Sequence, residues 1–180
     1  SGVLGEYGVS GKVSTPATDK LFVPNTASPQ LNGAEAKKFH TVVAKLLYLA
    51  KRTRVDILLA VAYLCTRVKA PTRDDQVKLA RVLKYLSGTL EQVLVFHPDI
   101  SKYMEGYIDA SFGCHLDGKG HTGLNVLLYG CVVLSMSSKQ KMVTKDSTES
   151  ELVGLSDKIM SVVQCYDFVQ AQGVECVVPV

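Results

Sequence analysis

The sequence predicts an α/β domain, with a mixed sheet and one long helix, that follows a small all-helical unit. Two observations lead to this fold class. Apolar residues in the first half recur at helical spacing, whereas the second half has short strand-like apolar runs before a single long helical segment. The composition, 47% hydrophobic and 21% charged over 180 residues, is that of a globular protein long enough to bury a core.

Residues 1–32 are predicted to form an irregular, extended lead. Pro16, Pro24 and Pro29 stand among Ser, Thr and Asn residues, a composition that is typical of loops.

Residues 33–90 are predicted to form the helical unit. "KRTRVD" separates a first amphipathic helix from a strongly apolar second one, "ILLAVAYLCTRV". After Pro71, Thr72 is a candidate N-cap for a third helix over about Asp74–Leu86, and Gly88 suits the position after its end.

Residues 93–180 are predicted to form the α/β domain. "LVFHP" and "YMEGYIDASF" have the character of strands, and "HLDGKGHTG" that of a turn. "LNVLLYGCVVLSMSS" predicts two strands hinged at Gly130. A helix ending at Gly173 follows, and "VECVVPV" begins another strand.

Several classes of protein are disfavoured. A net charge of +3 is too small to indicate nucleic-acid binding by itself. Five cysteines without a C-x-x-C pair, and the lack of a signal peptide, favour a reduced intracellular setting over secretion. Without a run of about 18 apolar residues, we expect no membrane span.

Two carboxylates are candidate metal ligands. Alternation places Asp109 and Tyr107 on one face of a strand and Ile108 and Ala110 on the other, although a strand-end Asp also commonly caps the following turn. Glu151 lies at the edge of the apolar stripe of the long helix. The alternative for Glu151 is a capping box with Thr148.

Basic residues in both units are candidates for contact with phosphates: Lys139, Lys141 and Lys145 beside the candidate carboxylates, and Arg52 and Arg54 at one end of the helical unit. A solvated helix face is the alternative for each. A third group, Cys114, His115, Asp117 and His121, has a spacing that fits no zinc finger.

Four stretches together resemble the C-terminal part of a copia-type retrotransposon polyprotein, the end of the reverse transcriptase followed by its RNase H domain. They are "LLYLAKRTRVDILLAVAYLCTRV", "LARVLKYLSGTL", "IDASFGCHLDGKGHTG" and "SSKQKMVTKDSTESELVGLSD". The resemblance covers roughly residues 5–176 in the family's order.

The resemblance implies an RNase H-like domain after thumb-like helices. In such domains four acidic residues bind two Mg²⁺ (or Mn²⁺) and hydrolyse RNA in RNA–DNA hybrids. By motif match, Asp109 and Glu151 are the first two acids. The third and fourth acids have no match here, so the domain is expected to be truncated and its activity impaired. The polymerase palm is absent, and Val55 stands where the family usually has Pro.

The same departures favour a second hypothesis, a non-catalytic retroelement-derived subunit of a larger assembly. A truncated sheet would leave an open edge that can pair with another protein chain.

Overall fold

The computed structural model describes residues 10–96 and 103–177. The chain divides into two compact units, Ser1–Leu94 and Val95–Val180. The described part of the first unit is helical. That of the second contains a three-stranded sheet and one long helix. The chain is thus mixed α/β.

The first unit begins with residues 10–32, which contain turns and a single bridge between Gln30 and Thr72. Helix α1, Gly33–Arg52, starts at a capping box in which Asn32 and Glu35 each accept a hydrogen bond from the other's backbone amide. The helix includes Lys51 and Arg52, so the predicted break between the first and second helices begins only at Thr53.

A 3₁₀ turn, Val55–Ile57, leads into α2, Leu58–Cys65, which is buried on nearly all sides. The Arg54 guanidinium spans the turn: its Nε and Nη2 donate to Asp56, and its Nη1 donates to the Thr89 carbonyl oxygen at 2.9 Å. Together with Phe39, Leu64 and other apolar residues of α1, α2 and the next helix, Ile57 forms the first core.

Helix α3, Arg73–Gly88, has Thr72 as its N-cap, as the sequence predicts. Gly88 does not stand after the helix. It is the last helical residue, Thr89 is the C-cap, and the backbone at Gly88 is not left-handed, so its conformation does not require glycine.

The sheet of the second unit consists of β1, Met104–Ser111, β2, Lys119–Leu128, and β3, Cys131–Val143, in the order β1-β2-β3 with antiparallel pairing. Tyr129 and Gly130, both at positive φ, form the tight turn of the β2–β3 hairpin predicted at Gly130. The strand predicted at "LVFHP" is wrong for residues 94–96, which have no regular structure. The rest of that stretch lies outside the described residues.

Helix α4, Ser147–Ala171, ends as predicted at Gly173, whose φ is +75°. The amides of Gly173 and Val174 donate to the carbonyl oxygens of Gln170 and Val169, which closes the helix end. Val177 then forms one parallel bridge with Tyr103. Within residues 103–177 this bridge is the one parallel pairing, and the three strands are antiparallel. The mixed character of the predicted sheet is therefore limited to a single bridge there.

Among the described residues, no helix combines the length and apolar character that crossing a membrane requires.

Candidate metal and nucleic-acid site

Asp109 lies near the end of β1, directly opposite Gly123 of β2. Its side chain is exposed on the sheet face that turns away from α4, whereas Ala110 is buried on the other face, as the alternation predicts. β1 continues to Ser111, and Asp109 has no hydrogen bond within the described residues. A role in capping the turn is therefore unsupported, and the carboxylate is available to a ligand.

Glu151 is also available. Asp146, not Thr148, is the N-cap of α4 and accepts a hydrogen bond from the Glu149 amide at 2.8 Å. The Glu149 carboxylate in turn accepts one from the Lys145 amide at 2.6 Å. The capping box considered for Thr148 and Glu151 is therefore wrong, and Glu151 remains exposed in the helix.

Two close contacts fix how α4 runs along β1. A Cβ on Gly154 would lie 3.1 Å from the Ala110 Cβ, and one on Gly106 would lie 3.1 Å from a Val162 methyl. The helix residues are eight apart, about 12 Å, and the strand residues four apart, about 13 Å. Helix and strand are therefore antiparallel, and Glu151, one turn before Gly154, comes opposite the end of β1.

The two carboxylates therefore belong to the same end of β1, with Asp109 on one sheet face and Glu151 on the helix side. Within the described residues, the outer edge of β1 is paired only at Tyr103.

Few side chains that could bind a metal ion lie close together in the described residues. In residues 10–96 and 103–177, no three His, Cys, Asp or Glu side chains are grouped so that they could hold a metal ion. Mg²⁺ keeps several waters and needs only one or two carboxylates, whereas a pair of ions needs more. Asp109 and Glu151 thus suit at most one hydrated Mg²⁺ and do not fit a two-metal centre.

A buried polar network fixes the first turns of α4 on the sheet. The Gln140 amide nitrogen donates to Thr122 Oγ1 at 3.1 Å and to the Ser150 carbonyl oxygen at 2.9 Å. Ser150 Oγ donates to Gln140 Oε1 at 3.2 Å. Because Ser150 precedes Glu151, this network determines where Glu151 leaves the helix.

The histidines of the Cys114–His121 segment bind each other. His115 Nε2 lies 3.1 Å from His121 Nδ1, and His121 Nε2 lies 2.7 Å from Ser137 Oγ. Asp117 pairs instead with Lys139, at 2.8 Å. These contacts hold the segment on β2 and β3.

Burial lowers the pKa of both histidines. The pKa of His115 falls to about 4, mainly by desolvation and further through Lys139. The pKa of His121 also falls to about 4, through desolvation and then repulsion from His115 and Lys158. Both rings are therefore neutral in the folded protein near pH 7.

We expect the stability of the chain to fall as the pH drops from about 6.5 to about 4. The unfolded histidines take up protons at their ordinary pKa while the folded ones do not, so protons favour unfolding in this window. Each pKa unit corresponds to about 1.4 kcal/mol, so one such histidine contributes about 3 kcal/mol, and repulsion opposes protonation of the second.

Urea unfolding of the wild type and of His121→Gln, each at pH 7 and pH 4.5, measures this effect. We expect His121→Gln to lose less stability between the two pH values than the wild type loses. Equal losses in both proteins would mean that other groups cause the acid sensitivity.

The predicted phosphate-contacting residues have different surroundings. Lys141 and Lys145 are exposed, and Lys139 is half-buried beside Asp117. Arg52 is exposed, and its guanidinium lies 5.6 Å from the centre of the Tyr48 ring. Arg54 is 7% exposed and bound to Asp56 and Thr89, so its geometry favours a structural role over phosphate binding.

Comparison with known proteins decides the family. The chain is 34% identical over 146 residues to an uncharacterized mitochondrial protein of Arabidopsis thaliana, covering 80% of this chain and 59% of that protein. It is 33% identical over 138 residues to the Retrovirus-related Pol polyprotein from transposon RE2 of the same plant, covering 73% and 9%. With the Pol polyprotein from transposon TNT 1-94 of Nicotiana tabacum, it shares 27% identity over 167 residues, covering 89% and 12%.

The chain belongs to the copia-type retrotransposon Pol family.

This Pol-family chain spans about three fifths of its mitochondrial relative and about a tenth of the two transposon polyproteins. No family model matches the chain. No solved structure matches it either.

Sequence reasoning missed one basic surface of this Pol-family chain. The exposed face of α1 also contains Tyr48, which is 69% exposed. Five Lys and Arg side chains share this face: Lys37, Lys38, Lys45, Lys51 and Arg52. The signal was present in the distribution of charge. Residues 1–94 contain fourteen Lys and Arg against seven Asp and Glu, whereas residues 95–180 contain six against ten. A net charge of +3 conceals this asymmetry.

Proposed function

We propose that the chain is part of a copia-type Pol polyprotein in which the end of a reverse transcriptase is joined to an RNase H-like domain. Its ancestral activity is metal-dependent hydrolysis of RNA in RNA–DNA hybrids, with Asp109 and Glu151 as ligands for Mg²⁺ or Mn²⁺. The observation that carries the proposal is the placement of two exposed acidic side chains, neither of them used in capping, at one end of β1.

The order of elements supports the RNase H-like assignment. Three antiparallel strands are followed by a helix that packs on the first strand. The chain then returns to begin a parallel pairing beside that strand. This is the order that the resemblance implies.

Contacts with the hybrid are proposed for two basic surfaces. The first is the exposed face of α1, including Arg52. The second consists of Lys139, Lys141 and Lys145 near the candidate metal site. Lys and Arg side chains bind phosphates without reading sequence, and an exposed aromatic ring such as Tyr48 offers a surface for stacking.

We expect this chain, once shown to be folded, to cleave a labelled RNA–DNA hybrid no faster than background in Mg²⁺ or Mn²⁺. Two carboxylates cannot orient two ions, and metal-dependent hydrolysis depends on that orientation. The controls are Asp109→Asn and Asp167→Asn, the second of which removes an exposed acid of α4 that lies thirteen residues after Gly154, about 20 Å further along the helix. Cleavage that only Asp109→Asn abolishes would show that other groups complete the site.

The open edge of β1 favours a second candidate function, a non-catalytic binding subunit. β1 contains no proline and no lysine, the residues that commonly block edge strands, and its outer edge is paired only at Tyr103 within the described part. An extended segment of another protein could add to this edge.

A further inference from the structure

The first unit has a groove that the proposed function does not use. Its volume is about 640 Å³, and it lies between residues 13–25 and α3. The floor is apolar and includes Val13, Val23, Val77 and Ala80. Val23 and Val77 are 65% and 69% exposed, so the floor is open to solvent.

The rim of the groove has unbalanced positive charge. Asp74 lines the groove, but it already accepts hydrogen bonds from Lys78 and from the Asn25 amide. Within the described residues, Lys20, Arg81 and Lys84 have no carboxylate partner.

Arg81 shows the imbalance most clearly. One guanidinium nitrogen, Nη2, donates to Thr15 Oγ1 at 2.9 Å, while Nε is buried without an acceptor among the residues that the structure describes. An apolar floor with unpaired cations suits a polypeptide surface that is both acidic and apolar. Of the described residues that line the groove, none is aromatic, so they offer no surface on which bases could stack.

The chain itself carries a surface of this kind on α4. A stripe of four apolar side chains, 40–62% exposed, follows one line of the helix: Leu152, Leu155, Ile159 and Val163. At 100° per residue, Glu151 flanks the stripe on one side and Glu149 and Asp167 flank it on the other. The one basic residue of α4, Lys158, is buried against the sheet, where it binds Ser138.

The two surfaces also agree in length. From Leu152 to Val163 the stripe rises about 16 Å along α4, and from Asp74 to Lys84 the groove follows about 15 Å of α3. We propose that the acidic, apolar stripe of α4 in one copy of the chain docks into the basic, apolar groove beside α3 in a second copy.

Such a contact joins two different surfaces, so the number of copies that associate depends on whether one or two contacts form between each pair. If each copy gives its stripe to the other's groove, the pair closes as a two-fold dimer with two equal contacts. If only one contact forms per pair, the free stripe and groove at the ends add further copies.

Sedimentation velocity of the full chain, treated with nuclease, at about 1–100 µM tests the proposal. The groove variant combines Lys20→Glu with Lys84→Glu, and the stripe variant combines Leu155→Ser with Ile159→Ser. All four positions are exposed or half-exposed, and circular dichroism verifies that each variant is folded. We expect the wild type to associate, and each variant to associate at least roughly tenfold more weakly. High salt should weaken the wild type, since exposed charges are screened.

An equimolar mixture of the two variants gives the decisive result. Each groove variant keeps an intact stripe and each stripe variant an intact groove, so we expect the mixture to recover association that neither variant shows alone. Association lost in the stripe variant but kept in the groove variant would mean that α4 packs against α4, which would overturn the proposal. A folded wild type that stays monomeric at the highest concentration would also overturn it. So would a groove variant that loses affinity for duplex nucleic acid while its self-association is unchanged.

Discussion

Gly120→Ala is expected to destabilise the second unit by about 2–4 kcal/mol, the range in which overpacking and a broken buried hydrogen bond combine. A Cβ on Gly120 would lie 2.8 Å from the Ser111 carbonyl oxygen and would overlap Gln140 Oε1. The first atom belongs to the backbone of the paired strand. The second belongs to a side chain that is 3% exposed and hydrogen-bonded to Thr122 and Ser150. Neither can move away without disrupting the sheet or the start of α4.

Gly123→Ala is the matched control for this substitution. It lies three residues further along β2, and a Cβ there would meet no atom within 4 Å. Since alanine is favoured over glycine in a regular strand by about 0.5–1 kcal/mol, this variant should be unchanged or slightly more stable. Urea unfolding, followed by circular dichroism, compares the two. Similar free energies of unfolding for both variants would show that the contacts around Gly120 relax freely.

Asp75→Ala is expected to destabilise the first unit by about 3–5 kcal/mol, because it removes one partner of a buried ion pair. The Asp75 side chain is fully buried. It accepts hydrogen bonds from Arg67 Nε at 3.0 Å and from the Thr72 amide and hydroxyl, both at 2.9 Å. The substitution would leave the largely buried Arg67 guanidinium without its carboxylate and would remove the capping box of α3.

The neighbouring Asp74→Ala provides the comparison. Asp74 also belongs to the first turn of α3, but it is partly exposed and pairs with Lys78 across one helical turn. A partly exposed pair of this kind contributes up to about 1 kcal/mol. We expect the midpoint of thermal unfolding to fall far more for Asp75→Ala than for Asp74→Ala. Equal decreases would mean that the burial of Asp75 adds nothing to its pairing.

Local chemistry made much of the fold predictable from the sequence. Thr72 caps α3, the turn at Gly130 joins two strands, and Gly173 closes α4, because each position calls for a side chain or backbone conformation that few residues provide. The errors arose where neighbours in space decide the outcome. Gly88 resembles a glycine that follows a helix, yet it is the last helical residue, and a Cβ there would lie 3.3 Å from the Lys12 Cβ.

In the candidate site, too, local patterns were predictable and contacts between distant residues were not. Alternation along β1 correctly placed Asp109 and Ala110 on opposite faces of the sheet, since a strand has a fixed period of two. The sequence alone could not separate Thr148 from Asp146 as the cap of α4, because both lie before the same apolar run. It also could not separate Arg52 from Arg54. The burial of Arg54 depends on Thr89, thirty-five residues away.

The opposite charges of the two units have a consequence for how any partner approaches the chain. At physiological ionic strength, electrostatic influence fades over about 8 Å, less than the size of either unit. A molecule in solution therefore responds to the unit that it meets rather than to the overall charge of +3. Polyanions are drawn toward residues 1–94, and cations toward residues 95–180, where ten acidic side chains outnumber six basic ones. In this respect the chain behaves as two ions of opposite sign that share one backbone.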